Sequence, residues 1–156
     1  MRGDVVTAEK LVHAPAEAVF ALLSDASQHP NIDGSGAVKA VKPGAPQRLV
    51  LGSCFGMSMK VGVGYSMVST VIEYEENRRI AWQTRPPGFA GRISGGRIWR
   101  YELEPGDGGT LVRESWDVSQ DHQRPFLKLG GLPAKTRANM TRTLERIEAI
   151  TAGMTS

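Results

Sequence analysis

Polar and apolar residues alternate through most of this chain, and a helical period interrupts the alternation twice, once near the start and once over the final quarter. Residues 4–13, rich in Val and Thr, predict a strand, and Ala14-Pro15 ends it. Pro15 cannot continue a central strand but suits the first turn of a helix. Strong helix formers follow over 16–23, with Val19, Phe20, Leu22 and Leu23 on one apolar face. Glu17 sits in the first turn, where a negative charge favours the helix dipole. Asp25 closes this helix or caps a second short one over 26–32, and residues 29–36, with two glycines, an Asn and an Asp, form a turn cluster.

Strand patterning then resumes. Val38 and Val41 belong to a short strand stopped by Pro43-Gly44-Ala45-Pro46, and residues 49–60 predict a longer one with Gly52 and Gly56 as bend or bulge points. Further strands are predicted over 65–74, 79–85, 97–104 and 110–118. Residues 86–96 form a loose link between two of these, and residues 105–109 a hairpin turn. Residues 120–131 are irregular or a short helix. Pro133 then opens a helix to about residue 151, in which Met140, Leu144, Ile147 and Thr151 share one face. At 1.5 Å per residue it is roughly 27 Å long, enough to span a small domain. Strand, two short helices, six strands, long helix, joined by short links, describes an α+β fold with an antiparallel sheet of about seven strands. The length of 156 residues fits a single domain over 1–156.

Several phrases in this order resemble one known superfamily. They are residues 12–20 (VHAPAEAVF), the turn 33–36 (DGSG), residues 79–82 (RIAW), and residues 99–105 (WRYELEP) followed by Gly109-Thr110. Together they make the chain similar to START/Bet v 1-like proteins, particularly the bacterial polyketide cyclase/dehydrase and lipid-transport branch. The resemblance implies a helix-grip architecture, in which the curved sheet and the C-terminal helix enclose a cavity. It leaves the chemistry open, because members of the superfamily bind lipids, hormones and polyketides or act as enzymes and toxins.

Side chains alternate across a strand, so parity selects the cavity face. Trp99, Tyr101 and Leu103 should face inward, with Ile80, Trp82 and Thr84 beside them. Val68, Thr70, Ile72 and Tyr74 are expected inward from the preceding strand, and Phe55, Met57 and Met59 line up at period two on the one before it. Met is flexible and adapts to varied apolar shapes. On the last strand Val112, Glu114 and Trp116 share a face, which is taken as the inner one because Trp buries more area. That choice places Glu114 inside, as a polar anchor or proton-transfer group; the other register would leave it outside against a surface arginine. Phe20 from the first helix and Met140 and Leu144 from the last complete the expected lining.

Composition removes several other classes. One cysteine, Cys54, excludes an internal disulfide and any zinc site built on paired thiolates, and His13, His29 and His122 show no metal-binding spacing. No cofactor or metal is therefore expected. The net charge of +3 comes without a Lys/Arg-rich run of nucleic-acid type, so the basic excess is read as soft attraction to anionic ligands or surfaces. No run of about 18 apolar residues and no apolar leader is present, so neither membrane insertion nor export is expected and the chain reads as cytoplasmic. Cys54 has no adjacent base, and Ser35 lacks the setting of a nucleophile elbow.

Three functions follow. The first is binding or transport of a small hydrophobic ligand: a lipid, a fatty acyl chain or a polyketide-like molecule. The second is a cyclase or dehydratase using Glu114, Tyr101 and His29 as acid–base groups, with a His29–Asp33 pair as one possible arrangement. The third is a protein-interaction module with Arg137, Arg142 and Arg146 as its patch. Oligomeric state is not legible.

Overall fold

Seven strands form one antiparallel sheet in the order β1-β7-β6-β5-β4-β3-β2 in the computed structural model, which describes residues 3–155. The strands are β1 (Val5–Val12), β2 (Val38–Val41), β3 (Cys54–Val61), β4 (Val63–Glu75), β5 (Arg79–Arg85), β6 (Arg97–Gly106) and β7 (Gly109–Asp117). Consecutive strands from β2 to β7 are neighbours, as short antiparallel links require. β1 instead lies at the far edge beside β7, so the segment between β1 and β2 has to cross the whole sheet. It does so as α1 (Ala16–Leu23), a 3₁₀ turn (Ala26–Gln28) and α2 (His29–Ile32). Asp25 caps the 3₁₀ turn by accepting from the Ser27 N–H at 3.0 Å.

Two more one-turn helices, α3 (Ala90–Ile93) and α4 (Arg124–Leu127), stand in the β5–β6 and β7–α5 links, where no periodic pattern marks them. The long helix α5 (Leu132–Thr155) packs on β1 and β7 of the sheet and touches α1 and α2. Met140, Leu144, Ile147 and Thr151 are all buried, so the face read from their spacing is the one turned inward.

Two strand expectations change. The strand expected over 49–60 begins only at Cys54. Residues before it form a turn, with Gly52 at φ +86°, the Ser53 hydroxyl accepting from the Val50 N–H, and Leu49 buried with its N–H donating to the Ser24 carbonyl. Gly56 stays in regular register with Val68 and makes no bulge. The bulge lies in β4 between Val71 and Glu73, and it reverses parity there. Val71 pairs with Trp82 and Tyr74 with Ile80, so both face inward with Ser69, while Val68, Thr70 and Ile72, expected inside, do not join the inner rows.

α5 meets the turn before β2 at Gly34. A Cβ there would sit 2.2 Å from the Asn139 carbonyl oxygen and 2.6 Å from the Thr143 nitrogen. The Gly34 N–H donates to the Thr143 hydroxyl at 2.8 Å, and Arg142 donates to the Gly34 carbonyl at 3.0 Å. Gly34→Ala is expected to cost roughly 3 kcal/mol in chemical denaturation, because backbone rather than a flexible side chain must move. Gly36→Ala, at φ +72° but facing open space, should cost about 1 kcal/mol.

Candidate functional site

The inner face of the sheet is built from cross-strand rows. One runs Tyr74, Ile80, Tyr101, Glu114, Ala8, and the next runs Val71, Trp82, Trp99, Trp116, Val6. Phe55, Met57 and Met59 extend this face on β3. Phe20, Phe55, Met57, Trp82, Tyr101, Trp116, Met140 and Leu144 are buried, and Met59 and Trp99 are half-buried. The rings interlock: Trp82 lies 5.5 Å from Tyr101 and 5.8 Å from Phe55, Phe20 meets Tyr74 edge-on at 5.6 Å, and Trp99 lies 6.3 Å from Trp116. Such geometries add favourable quadrupole contacts to area burial. Ser69 and Thr84 share a hydroxyl–hydroxyl bond of 2.8 Å. Tyr74 faces inward as its parity suggested, whereas Ser69 was not legible, because the β4 bulge reverses the parity of the residues before it.

Glu114 is on this inner face, 3% exposed. Its cross-strand neighbour is Tyr101, whose hydroxyl donates to Oε1 at 2.7 Å. Among the described residues Oε2 is buried with no hydrogen-bond partner. Burial pushes the carboxyl up to about 8; the Tyr101 hydrogen bond opposes this and the Asp33 charge adds to it. Burial, then the Glu114 charge, pushes Tyr101 well above its ordinary value. At neutral pH the carboxyl is therefore mostly protonated. With Oε1 accepting from Tyr101, its proton belongs on Oε2, where it finds no acceptor among the described residues.

His29 is placed differently from expectation. It is buried, stacks on Trp82 with ring centroids 4.7 Å apart, and meets Phe55 edge-on at 5.3 Å. Its Nε2 bonds the Leu23 carbonyl at 2.9 Å. Burial draws its pKa down to about 4, against the Leu23 bond and the charges of Asp25 and Asp33, so the ring is neutral near pH 7. The expected His29–Asp33 pair does not form. The Asp33 carboxylate instead accepts from the N–H groups of Ser35 and Val38 and from the Ser35 hydroxyl, which shapes the turn. Of the three helix arginines proposed as a patch, Arg142 and Arg146 donate to the carbonyls of Gly34 and Asp33, so they tie α5 to that turn. Cys54 is exposed beside Thr70.

Two clefts open away from the inner face. One of about 280 Å³ lies at the β4–β5 turn and is lined chiefly by charged groups, among them Arg78, Arg79, Glu102 and Arg113. The other, about 410 Å³, lies where the β1–α1 link meets the β6–β7 hairpin, beside His13 and Pro105. Among the described residues no group of three or more His, Cys, Asp or Glu is placed to hold a metal, and no helix is long and apolar enough to cross a membrane.

A seven-stranded antiparallel sheet gripping one long helix over an aromatic face, with one carboxyl buried in it, defines a helix-grip protein. The polyketide cyclase/dehydrase and lipid transport family model matches residues 4–150, and the chain belongs to that family. It is 36% identical over 143 residues to the uncharacterised protein Rv0088 of Mycobacterium tuberculosis, a match covering 87% of this chain and 59% of that one. The chain thus spans little more than half the length of this curated relative. Among solved structures, protein NE0264 of Nitrosomonas europaea shares the fold at TM-score 0.73 and 13% identity, over 99% of this chain and 98% of the other. DynU16, from the dynemicin biosynthetic locus, does so at TM-score 0.66 and 15% identity, over 94% of this chain and 46% of that one.

The two buried groups set opposite slopes in stability against pH. The unfolded chain releases the Glu114 proton near 4.5, the folded chain near 8, so stability falls as pH rises across that interval. The unfolded chain protonates His29 below 6.5, the folded chain only near 4, so stability rises across that interval. The slopes oppose one another up to pH 6.5, and above it Glu114 acts alone. Urea unfolding should show stability declining from pH 6.5 to 8 in the parent chain. Glu114→Gln should flatten that limb, removing a penalty that reaches roughly 5 kcal/mol at full ionisation.

Proposed function

We propose that this chain binds a small, mainly apolar molecule bearing an acceptor oxygen, held between the sheet and α5 with that oxygen on Glu114. Lipid, fatty acyl and polyketide-like molecules fit this description. The observation that carries the reading is the buried Glu114 Oε2, a polar atom with no partner among the described residues, in a face that is mainly aromatic and aliphatic. A buried polar group left unsatisfied costs about 1–3 kcal/mol, and a ligand carbonyl, ether or hydroxyl would recover it. Phe55, Met57, Met59, Trp82, Trp99, Tyr101 and Trp116 would line the site from the sheet, with Phe20, Met140 and Leu144 from the helices. These side chains pack against one another, so admission requires α5 or the flexible methionines to yield. The family description, which joins cyclases and dehydrases to lipid transport, supports the reading, as does the biosynthetic-locus origin of DynU16.

Native mass spectrometry and solvent extraction of freshly purified protein test it directly: a co-purifying apolar molecule is expected, and failure to retain or bind any apolar ligand would sink the idea. Glu114→Leu combined with Tyr101→Phe should raise thermal stability, since the unsatisfied carboxyl is gone and no buried hydroxyl loses its partner, while weakening ligand binding about tenfold.

The second reading is a cyclase or dehydratase in the same place. It is favoured by a carboxyl that titrates near 8 while hydrogen-bonded to a phenol, which is the setting of a general acid. The two readings separate on Glu114→Gln, which keeps a donor beside the ligand but no transferable proton. Binding retained with turnover lost supports catalysis; turnover unchanged removes Glu114 from any mechanism.

A further inference from the structure

Exposed apolar side chains are concentrated at one end of the sheet. At this end β5 and β7 finish, β6 begins, β3 turns into β4 at Gly62, and α5 starts. Phe89 and Ile93 of the β5–β6 link are 71% and 62% exposed, and Phe126 and Leu129 of the β7–α5 link 74% and 63%. Val61 and Val63 at the β3–β4 tip are 64% and 75% exposed. Among the described residues, Leu51 is the one other large apolar side chain above 60%, and it lies at the opposite end. The two links are laced together: the His122 N–H donates to the Gly95 carbonyl at 3.0 Å, and the Gly95 N–H to the Gln123 side chain at 2.9 Å. Gly88 and Gly130, at φ +68° and +61°, turn them with open space around each.

Charge is segregated to match. Residues 34–72, 77–101 and 122–144 contain no Asp or Glu at all. Arg85 and Arg92 stand in one link, Arg124 and Lys128 in the other, with Lys60 beside the hairpin tip and Lys135 in the first turn of α5. The acids at this end are already committed: Asp4 pairs with Lys128 and Arg124, Asp117 with Arg100, and Asp121 with Arg97. With a net charge of only +3 for the chain, this end is positive and the remainder negative.

We propose that this end docks on the surface of an anionic lipid bilayer. Phe89, Ile93, Phe126 and Leu129 stand on the two links, in or beside their one-turn helices, between basic residues. That arrangement lets apolar groups pass the headgroups while the cations remain at the phosphates. A second copy of the chain fits less well, because it would bring two positive ends together. No spanning segment is involved, and the docking is independent of what the interior binds.

Co-sedimentation tests it, using vesicles of phosphatidylcholine alone and of phosphatidylcholine mixed with phosphatidylglycerol. The protein is expected to sediment with the mixed vesicles and to be released as salt rises. Phe89→Ser combined with Phe126→Ser should lower the bound fraction about tenfold or more. Arg92→Glu should weaken binding to the mixed vesicles, and Leu51→Ser at the opposite end should leave it unchanged. Equal binding to both vesicle types overturns the proposal, as does a double serine variant that binds like the parent. A salt-insensitive dimer that Phe126→Ser dissociates, with no vesicle binding, assigns the face to self-association instead. Should the double variant fail to fold, Arg92→Glu and the salt dependence carry the test.

Discussion

Gly34 sets where the long helix can lie. A 24-residue helix on a curved sheet can slide or roll unless something fixes its axial position, and apolar contacts alone are poorly directional. Here the backbone of the 33–36 turn enters a space beside Asn139 and Thr143 that no side chain could share. The Thr143 hydroxyl accepts from the Gly34 N–H and donates to the Asn139 carbonyl, while Arg142 and Arg146 donate to the Gly34 and Asp33 carbonyls. Nearer the C-terminus of α5, Glu148 meets His13 at 2.7 Å, and His13 holds its carboxyl below the usual range. These directional contacts place Met140, Leu144 and Ile147 against the sheet, and the core is organised around that placement.

The two faces of the sheet treat the same residue type in opposite ways. On the outer face Glu73, Ala81 and Arg100 form one row across β4, β5 and β6. Ala81 is too small to separate the flanking side chains, so Arg100 reaches over it to Glu73 at 2.6 Å and to Asp117 at 3.4 Å. Arg100 holds the Glu73 carboxyl below its ordinary value, with solvent nearby to screen the pair. On the inner face Glu114 has a phenol for company and, among the described residues, no cation partner, and burial drives it the other way. One residue of register would exchange these environments, so pairing β7 between β1 and β6 decides whether this chain carries a neutral interior acid or another surface ion pair.

Much of this could be read from the chain because alternation survives wherever one face is buried. Residues 79–85 were legible to both boundaries, and the inward parity of β5, β6 and β7 followed from Trp82, Tyr101 and Trp116. Parity failed in β4 because a single bulged residue reverses it, and nothing in the Val71-Ile72-Glu73 sequence announces a bulge. The strand expected from residue 49 failed because Leu49 is buried by its contact with the Ser24 carbonyl, a long-range partner that local pattern cannot reveal. His29 was legible as a functional candidate but not as a ring stacked on Trp82, since 53 residues separate the two. The links at the exposed end carry no period, so the helix over Ala90–Ile93 was not read at all and that over Arg124–Leu127 only as one alternative for residues 120–131.

The composition of the inner face bears on how selective the proposed site could be. Rigid rings occupy its centre, and Met57 and Met59 carry it outward along β3, so shape would be set firmly in the middle and loosely at the margin. Ser69 and Thr84 satisfy one another. The Nε2 of His29 is occupied by the Leu23 carbonyl, and Tyr101 by Glu114. Among the described residues Glu114 Oε2 is thus the fully buried side-chain polar atom on this face left without a partner to report on a ligand. One hydrogen bond discriminates strongly between ligands with and without an acceptor, whereas an apolar wall distinguishes chain lengths by only about 1–3 kcal/mol per methylene. A site of this kind, on the proposed reading, would choose sharply on where its ligand carries oxygen and loosely on the length of the apolar part.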